Sequence, residues 1–237
     1  GTYASPAILM RSGIGPADQL RALGVDVVSD LPGVGANLID HALVAVDLPG
    51  PAGYSGPQFQ VMLSMRSSLA DPNGPPDLHL FPAGPWDTLN SPSGAVFGLV
   101  TGLMSVRSRG SVRLRSADPG DPPRIDIAHL RDPEDLDRMV EATLEARRIS
   151  RTPPLDGLVR GPELAPGSEV GDDDRAGLER SIRSRIDSYH HPVGTCAISI
   201  PTCSDASTNP NWVSERPRDS RNTAQIGPVK MMPLKNW

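Results

Sequence analysis

The segment Tyr189-His190-His191-Pro192-Val193-Gly194-Thr195-Cys196 concentrates residue types that can move a proton or bind a metal. A histidine side chain, with an ordinary pKa of about 6.5, is mostly neutral yet still basic at neutral pH, which suits a proton acceptor. On an extended segment successive side chains point to opposite faces, so only one of His190 and His191 can face a given ligand. The register set by Pro192 favours His191. Zinc is the competing chemistry for His190, His191, Cys196 and Cys203. Their spacing matches no standard finger or catalytic pattern, and no metal site is expected. A serine nucleophile has less support still: no Gly-x-Ser-x-Gly elbow occurs, and Ser12 precedes Gly-Ile-Gly at a helix end. Among the remaining histidines, His41 ends the run Asn37-Leu38…Asp40-His41 and reads as a hydrogen-bonded structural residue near a domain junction. His79 and His129 have no supporting neighbours and read as surface or loop residues.

Several elements must carry that segment. Ser5-Pro6 reads as an N-cap and first helical position, followed by Ile8, Leu9 and Met10 as a buried face and stopped by Gly13. Gly15-Pro16 opens a second helix with Leu20 and Leu23 on one side and Gly24 as its C-cap. Val25 to Val28 reads as a short strand, and Leu31-Pro32-Gly33-Val34-Gly35 as a turn-rich loop. Beyond Val44, prolines punctuate short extended pieces, among them Phe59 to Met65 and Leu78 to Phe81. Val96 to Met104 is a buried strand that Arg109-Gly110 turns into Ser111 to Leu114, giving an antiparallel hairpin. Asp132-Pro133 starts the clearest helix, with Leu136, Met139, Val140, Thr143 and Leu144 at helical spacing, acidic residues early and Arg147-Arg148 late. Another helix follows Asp172-Asp173-Asp174, with Leu178, Ile182 and Ile186 four apart.

The chain has 237 residues, 26 of them proline, 38 % hydrophobic and 4 % aromatic, with a net charge of −5. That is enough to bury a real core, with stiff loops joining short elements. Arg and Asp are interspersed, so neither a nucleic-acid stripe nor an acidic tail is present. No apolar run reaches the roughly 20 residues of a membrane helix. Two cysteines, Cys196 and Cys203, are too few for a disulfide framework; they read as free thiols in a reducing compartment, pointing to the cytoplasm, although they could pair.

Gly1-Thr2-Tyr3-Ala4-Ser5-Pro6-Ala7-Ile8-Leu9-Met10-Arg11-Ser12-Gly13-Ile14-Gly15 resembles the second signature of the GMC (glucose–methanol–choline) oxidoreductases. The likeness continues through Asp30-Leu31-Pro32-Gly33-Val34-Gly35, Asn37-Leu38 and Asp40-His41. Ser108-Arg109-Gly110-Ser111-Val112-Arg113-Leu114 with Asp118-Pro119 is similar to the hairpin opening the family's C-terminal module, and Tyr189 to Cys196 to its catalytic histidine motif. The resemblance runs in order from Gly1 to about Ile198. It implies FAD bound across a Rossmann-type domain and oxidation of the CH–OH group of a small-molecule alcohol. His191 would be the base that takes the hydroxyl proton while the flavin takes a hydride. It also places Gly1 and Thr2 at the end of a strand beside the dinucleotide, where Ser5, besides capping, could touch the cofactor.

The expected fold is therefore α/β plus α+β. Residues 1–45 are a remnant of the FAD-binding domain, and 46–187 form a substrate domain built on an antiparallel sheet flanked by helices, with the C-terminal module from about 105. Residues 188–200 carry the histidine, and 201–237 are a divergent, disordered tail. Substrate-lining residues are expected between Phe59 and Trp86, with no rule linking them to one alcohol. Two features depart from the family. No Gly-x-Gly-x-x-Gly fingerprint occurs, so the pyrophosphate has no evident anchor. After Ser199 both likeness and apolar period stop, and neither Asn209 nor Asn222 has the surroundings of the family's second catalytic Asn or His. A chain incomplete at both ends, with an out-of-frame or recombined terminus, accounts for both; reading the encoding DNA in all frames tests this. A non-catalytic remnant that binds no flavin is the rival expectation. The electron acceptor and the oligomeric state are not legible in the sequence.

Overall fold

In the computed structural model, which describes residues 1–59 and 61–197, the first helix, α1 (Ala4–Arg11), begins two residues earlier than expected, and the Gly1 carbonyl accepts the Ser5 amide at 2.9 Å. Tyr3 occupies the cap position and Ser5 lies within the first turn, making no side-chain cap. Pro6 still fits, because first-turn amides need no helical partner. The buried face is Pro6, Ala7 and Met10, while Ile8 is 63 % exposed; three consecutive residues cannot share one helical face. After Gly13, in the left-handed region at φ 81°, come β1 (Ile14–Gly15) and α2 (Ala17–Ala22). Val25 to Val28 is not a strand. Val25 and Val27 pack their side chains on the Ala7, Met10 and Leu20 cluster. The pairing with β1 falls instead to β2 (Ser29–Asp30), in parallel.

β3 (Ala42–Pro49), β4 (Leu63–Met65), β5 (Leu78–Asp87) and β6 (Ala95–Leu103) follow. β5 continues well past the expected Phe81, through Pro82 and Pro85. It can do so because β4 pairs only with Leu78 to Leu80, so the rest of β5 is an edge where a missing amide costs nothing. β6 is the buried strand expected, with β5 and β3 antiparallel on its two sides. The expected hairpin after it does not form. β7 (Ser111–Arg113) pairs with β8 (Arg124–Asp126) instead. The cause lies in α3 (Pro133–Ser150), whose fully buried Asp135 accepts the amides of Arg107 (3.0 Å) and Ser108 (2.7 Å) and pulls the chain away from β6.

α3 is otherwise as its pattern dictates. Asp132 caps it by accepting the Glu134 amide at 3.0 Å, Pro133 opens it, and Arg147 and Arg148 end it. Its Leu136, Met139 and Val140 pack on Val44, Leu78 and Leu103 of the sheet, each such side chain contributing about 2 kcal/mol by burial. α4 (Arg175–Arg185), capped by Asp174, adds Leu178 and Ile182 to the same core, and β9 (Asp187–Ser188) closes the sheet in the order β4-β5-β6-β3-β9. The result is a mixed fold with an antiparallel sheet backed by helices. The described residues belong to one compact unit, Gly1–Ile200. Cys203, Asn209, Asn222 and the tail 201–237 lie outside the described residues, as does the abrupt change of character at Ser199.

Candidate active site

The histidine segment is laid as a strap across residues 34–41. Gly35 donates to the Thr195 carbonyl (2.8 Å), Ile39 and Val193 exchange amide bonds (2.9 Å each), and Tyr189 donates to the His41 carbonyl (2.9 Å). Gly194 permits the close approach. Its φ is 97°, and a Cβ there would stand 2.2 Å from the Asn37 carbonyl oxygen. Two threonines lock the strap to the chain start: Thr2 Oγ1 donates to Pro192 O and Thr195 Oγ1 donates to Thr2 O, both at 2.6 Å. Beneath it Asp40, 1 % exposed, accepts the His191 amide at 3.0 Å through Oδ1 and the Ser188 hydroxyl through Oδ2.

His190 and His191 diverge, but not by strand alternation. His190 adopts a left-handed conformation (φ 63°), its amide held by Ser188 Oγ at 2.8 Å, so the local chain is a turn. His191 stacks on Tyr189, with centroids 4.8 Å and planes 25° apart, and meets the edge of His41 at 5.8 Å. Its side chain is exposed and has no hydrogen-bond partner among the described residues. His41 is the bonded structural residue expected, its Nδ1 donating to Leu103 O at 2.9 Å in the neutral tautomer. Burial lowers its pKa, and the bond to Leu103 offsets part of that shift. Of the two histidines read as surface or loop residues, His129 does lie in a turn, but His79 is on β5 and neither is freely exposed. His79 projects from β5 to within 6.4 Å of the Tyr189 ring, and His129 is half-buried with Nε2 unbonded among the described residues. Burial lowers the pKa of both. Tyr189 and Asp40 carry the arrangement, and sequence reasoning had given neither a role; the acid immediately before His41 was the available signal.

The residues expected beside a cofactor occupy different environments. Gly1 is exposed, Thr2 spends its hydroxyl on Pro192, and Ser5 is half-buried in α1. A flavin dinucleotide would fit one part of this chain and not another. The open His191 edge, backed by the Tyr189 ring, can form a wall beside an isoalloxazine. A pyrophosphate cradle is not present among the described residues. α2, entered from Gly15-Pro16, has its Ala17 amide already taken by the Asp30 carboxylate at 3.0 Å, which would repel a phosphate. Gly13 and Gly15 serve packing, since a Cβ on either would strike Asp26 O (2.3 Å) or Met10 (2.8 Å). Among the described residues no group of three His, Cys, Asp or Glu could hold a metal, and no helix is long and apolar enough to cross a membrane.

Residues 106–212 match the family model described as GMC oxidoreductase, a span that contains the whole histidine strap and extends past Ile198. The 5-(hydroxymethyl)furfural oxidase of Methylovorus sp. (strain MP688) is 34 % identical over 215 residues, covering 84 % of this chain and 39 % of that protein. The choline oxidase of Arthrobacter globiformis is 35 % identical over 205 residues, covering 82 % and 37 %. Among solved structures, pyridoxine 4-oxidase from Mesorbium loti superposes with a TM-score of 0.71 at 32 % identity, covering 83 % of this chain and 39 % of that one. A formate oxidase of Aspergillus oryzae RIB40, studied for modification of its FAD, shares the fold at a TM-score of 0.73 and 22 % identity, covering 84 % and 44 %. The chain thus spans about two fifths of the length of the curated relatives it matches. Since the match covers the strap that presents His191, and solved relatives superpose on most of the chain, residues 106–212 are the C-terminal domain of the GMC oxidoreductases, a family of FAD-dependent flavoenzymes.

Proposed function

We propose that the enzyme to which this chain belongs oxidises the CH–OH group of an alcohol, with FAD as hydride acceptor and His191 as the base. The observation that supports this is the exposed His191 imidazole, without a hydrogen-bond partner among the described residues, held on a strap whose backbone is bonded to Gly35, Ile39, Asp40 and His41. An imidazole nitrogen of His191 takes the hydroxyl proton as the α-carbon is oxidised. Stacking on Tyr189 fixes the ring plane, and the Asp40–amide bond fixes the backbone that carries it. Burial lowers the His41 pKa, outweighing the Leu103 carbonyl that accepts from its Nδ1 and raises it, which disfavours a second positive charge 5.8 Å from the proton arriving on His191. Gly1 and Thr2 lie beside the dinucleotide in this reading, contributing backbone, with Ser5 behind them. The enzyme works in the cytoplasm, where its thiols stay reduced.

A non-catalytic remnant is the second reading, favoured by the Asp30-capped α2 and the absence of a pyrophosphate cradle among the described residues. Visible spectra of the purified chain, with and without added FAD, separate the two: bound flavin absorbance supports an enzyme, and a folded chain without it supports the remnant. Where flavin binds, His191→Ala should slow its reduction by an alcohol by roughly 10²–10⁴-fold at unchanged flavin content. An unchanged rate would sink the assignment of the base.

A further inference from the structure

His191 is the first of five rings joined by successive contacts, which reach β5 at Phe81 and Trp86. Tyr189 stacks on it, Phe81 lies 6.2 Å from Tyr189, Phe59 lies 6.3 Å from Phe81, and Trp86 lies 6.2 Å from Phe59. The outer rings are open to a ligand: Phe59 is 62 % and Trp86 39 % exposed. Consecutive planes are tilted by 53°, 52° and 62° along the track, which makes a slot wall of alternating faces and edges and not a closed cage. Glycine keeps the wall shallow. A Cβ at Gly102 of β6 would stand 2.9 Å from the Tyr189 ring, so the ring lies directly against the strand.

The charges around the track decide which ligand it suits. Three carboxylates bear on it, and only one of them is paired with a cation. Asp40 is buried under the strap, Asp47 on β3 pairs with Arg185 at 3.4 Å, and Asp87, next to Trp86, accepts the Gly53 amide at 3.0 Å. The imidazoles of His41 and His79 flank Tyr189 at 6.1 and 6.4 Å, both with pKa values lowered by burial. A cation whose CH2OH group lies at His191 would therefore find ring faces but no unpaired carboxylate among these beside it, since Asp87 follows Trp86 at the far end of the ring series, whereas a neutral planar ring gains offset and edge contacts from ring to ring.

We propose, resting on His191 as the base, that this ring line is the substrate wall and that it selects uncharged aromatic primary alcohols over quaternary ammonium alcohols. The CH2OH group sits at His191 and the substrate ring lies along Tyr189 and Phe81, with Phe59 and Trp86 gripping ring substituents.

Saturation-transfer NMR on the full 237-residue chain, with 4-methoxybenzyl alcohol, cyclohexylmethanol and choline as probes, tests this directly. The expected order places 4-methoxybenzyl alcohol at least tenfold tighter than either of the others. Phe81→Leu and Phe59→Leu should each weaken it at least fivefold without altering choline. Phe59 is largely exposed, so its variant remains informative if Phe81→Leu fails to fold. Choline binding as tightly as the aromatic alcohol, no binding of any probe, or indifference to Phe59→Leu would each overturn the proposal. His191→Ala should preserve the binding order. If the order holds while flavin reduction is insensitive to His191→Ala, the base assignment fails and the aromatic wall stands.

Discussion

Asp40 Oδ1 accepts the backbone amide of His191 at 3.0 Å, joining two residues 151 positions apart. The carboxylate is buried, and its other oxygen takes the Ser188 hydroxyl, so one side chain fixes both ends of the turn that aims His191. Asp40→Ala removes a charged acceptor and leaves both donors without it, a loss of about 1.5–3 kcal/mol. The urea midpoint of the chain should fall accordingly, with Asp40→Asn recovering part of the loss. In flavin-loaded enzyme, kcat should fall more than KM changes, because the base is misaimed while the ring wall stays intact.

The Thr2–Pro192 and Thr195–Thr2 bonds form a second, independent clamp. Thr195 is 2 % exposed, so Thr195→Val keeps the volume and deletes one hydroxyl donor, at a cost of about 1 kcal/mol. Amide exchange should show where the loss is felt. Protection of Gly35, Ile39 and Val193 should drop, while that of Met139 and Val140 in α3 stays level. Uniform loss across all five would mean that the strap does not open separately from the core.

Gly194 gives a sharper steric test. At φ 97°, a methyl group 2.2 Å from Asn37 O cannot be accommodated without moving the 34–41 loop, since the obstructing atom is backbone. Gly194→Ala should destabilise the chain by more than about 1 kcal/mol and detach the strap. Loss of the upfield ring shifts that Tyr189 and His191 impose on each other would report the detachment in an NMR spectrum.

Local patterns carried much of the fold. Asp132-Pro133 and the periodic Leu136, Met139 and Val140 specify α3 because cap, dipole and buried face agree, and the tract after Asp174 specifies α4 for the same reason. The hairpin expected at Arg109-Gly110 failed because its competitor, Asp135, is 25 or more residues away, and no turn rule sees a buried carboxylate collecting distant amides. β5 was cut short at its prolines because edge status depends on the length of β4, which the β5 sequence does not record. At the site, the histidine pair stood out by type, and its divergence was anticipated for the wrong reason, a left-handed turn having taken the place of strand alternation. Asp40, the two threonines and the ring line became visible only when residues far apart in the chain were brought together. Family likeness had supplied Thr2 a cofactor role without showing that its hydroxyl is spent on Pro192.

Acidification gives a further test with a definite sign. Burial lowers the folded-state pKa of His41, His79 and His129 below the unfolded value of about 6.5. Between those values the unfolded chain binds more protons, so stability is fully present above pH of about 6.5 and is lost as pH falls through the lowered pKa values. Asp47 acts oppositely at lower pH. Burial raises its pKa, only partly offset by Arg185, so the folded chain takes up that proton more readily and acid costs less there. The melting temperature should therefore decline as pH falls below about 6.5. Of the three histidines, His129 is the cleanest probe, because its ring lies outside the Tyr189–His191 stack and its Nε2 is buried without a partner among the described residues. His129→Gln should reduce the slope of that decline while leaving flavin reduction by alcohols unchanged. A slope identical to the parent's would show that the His129 site admits the imidazolium as readily as water does.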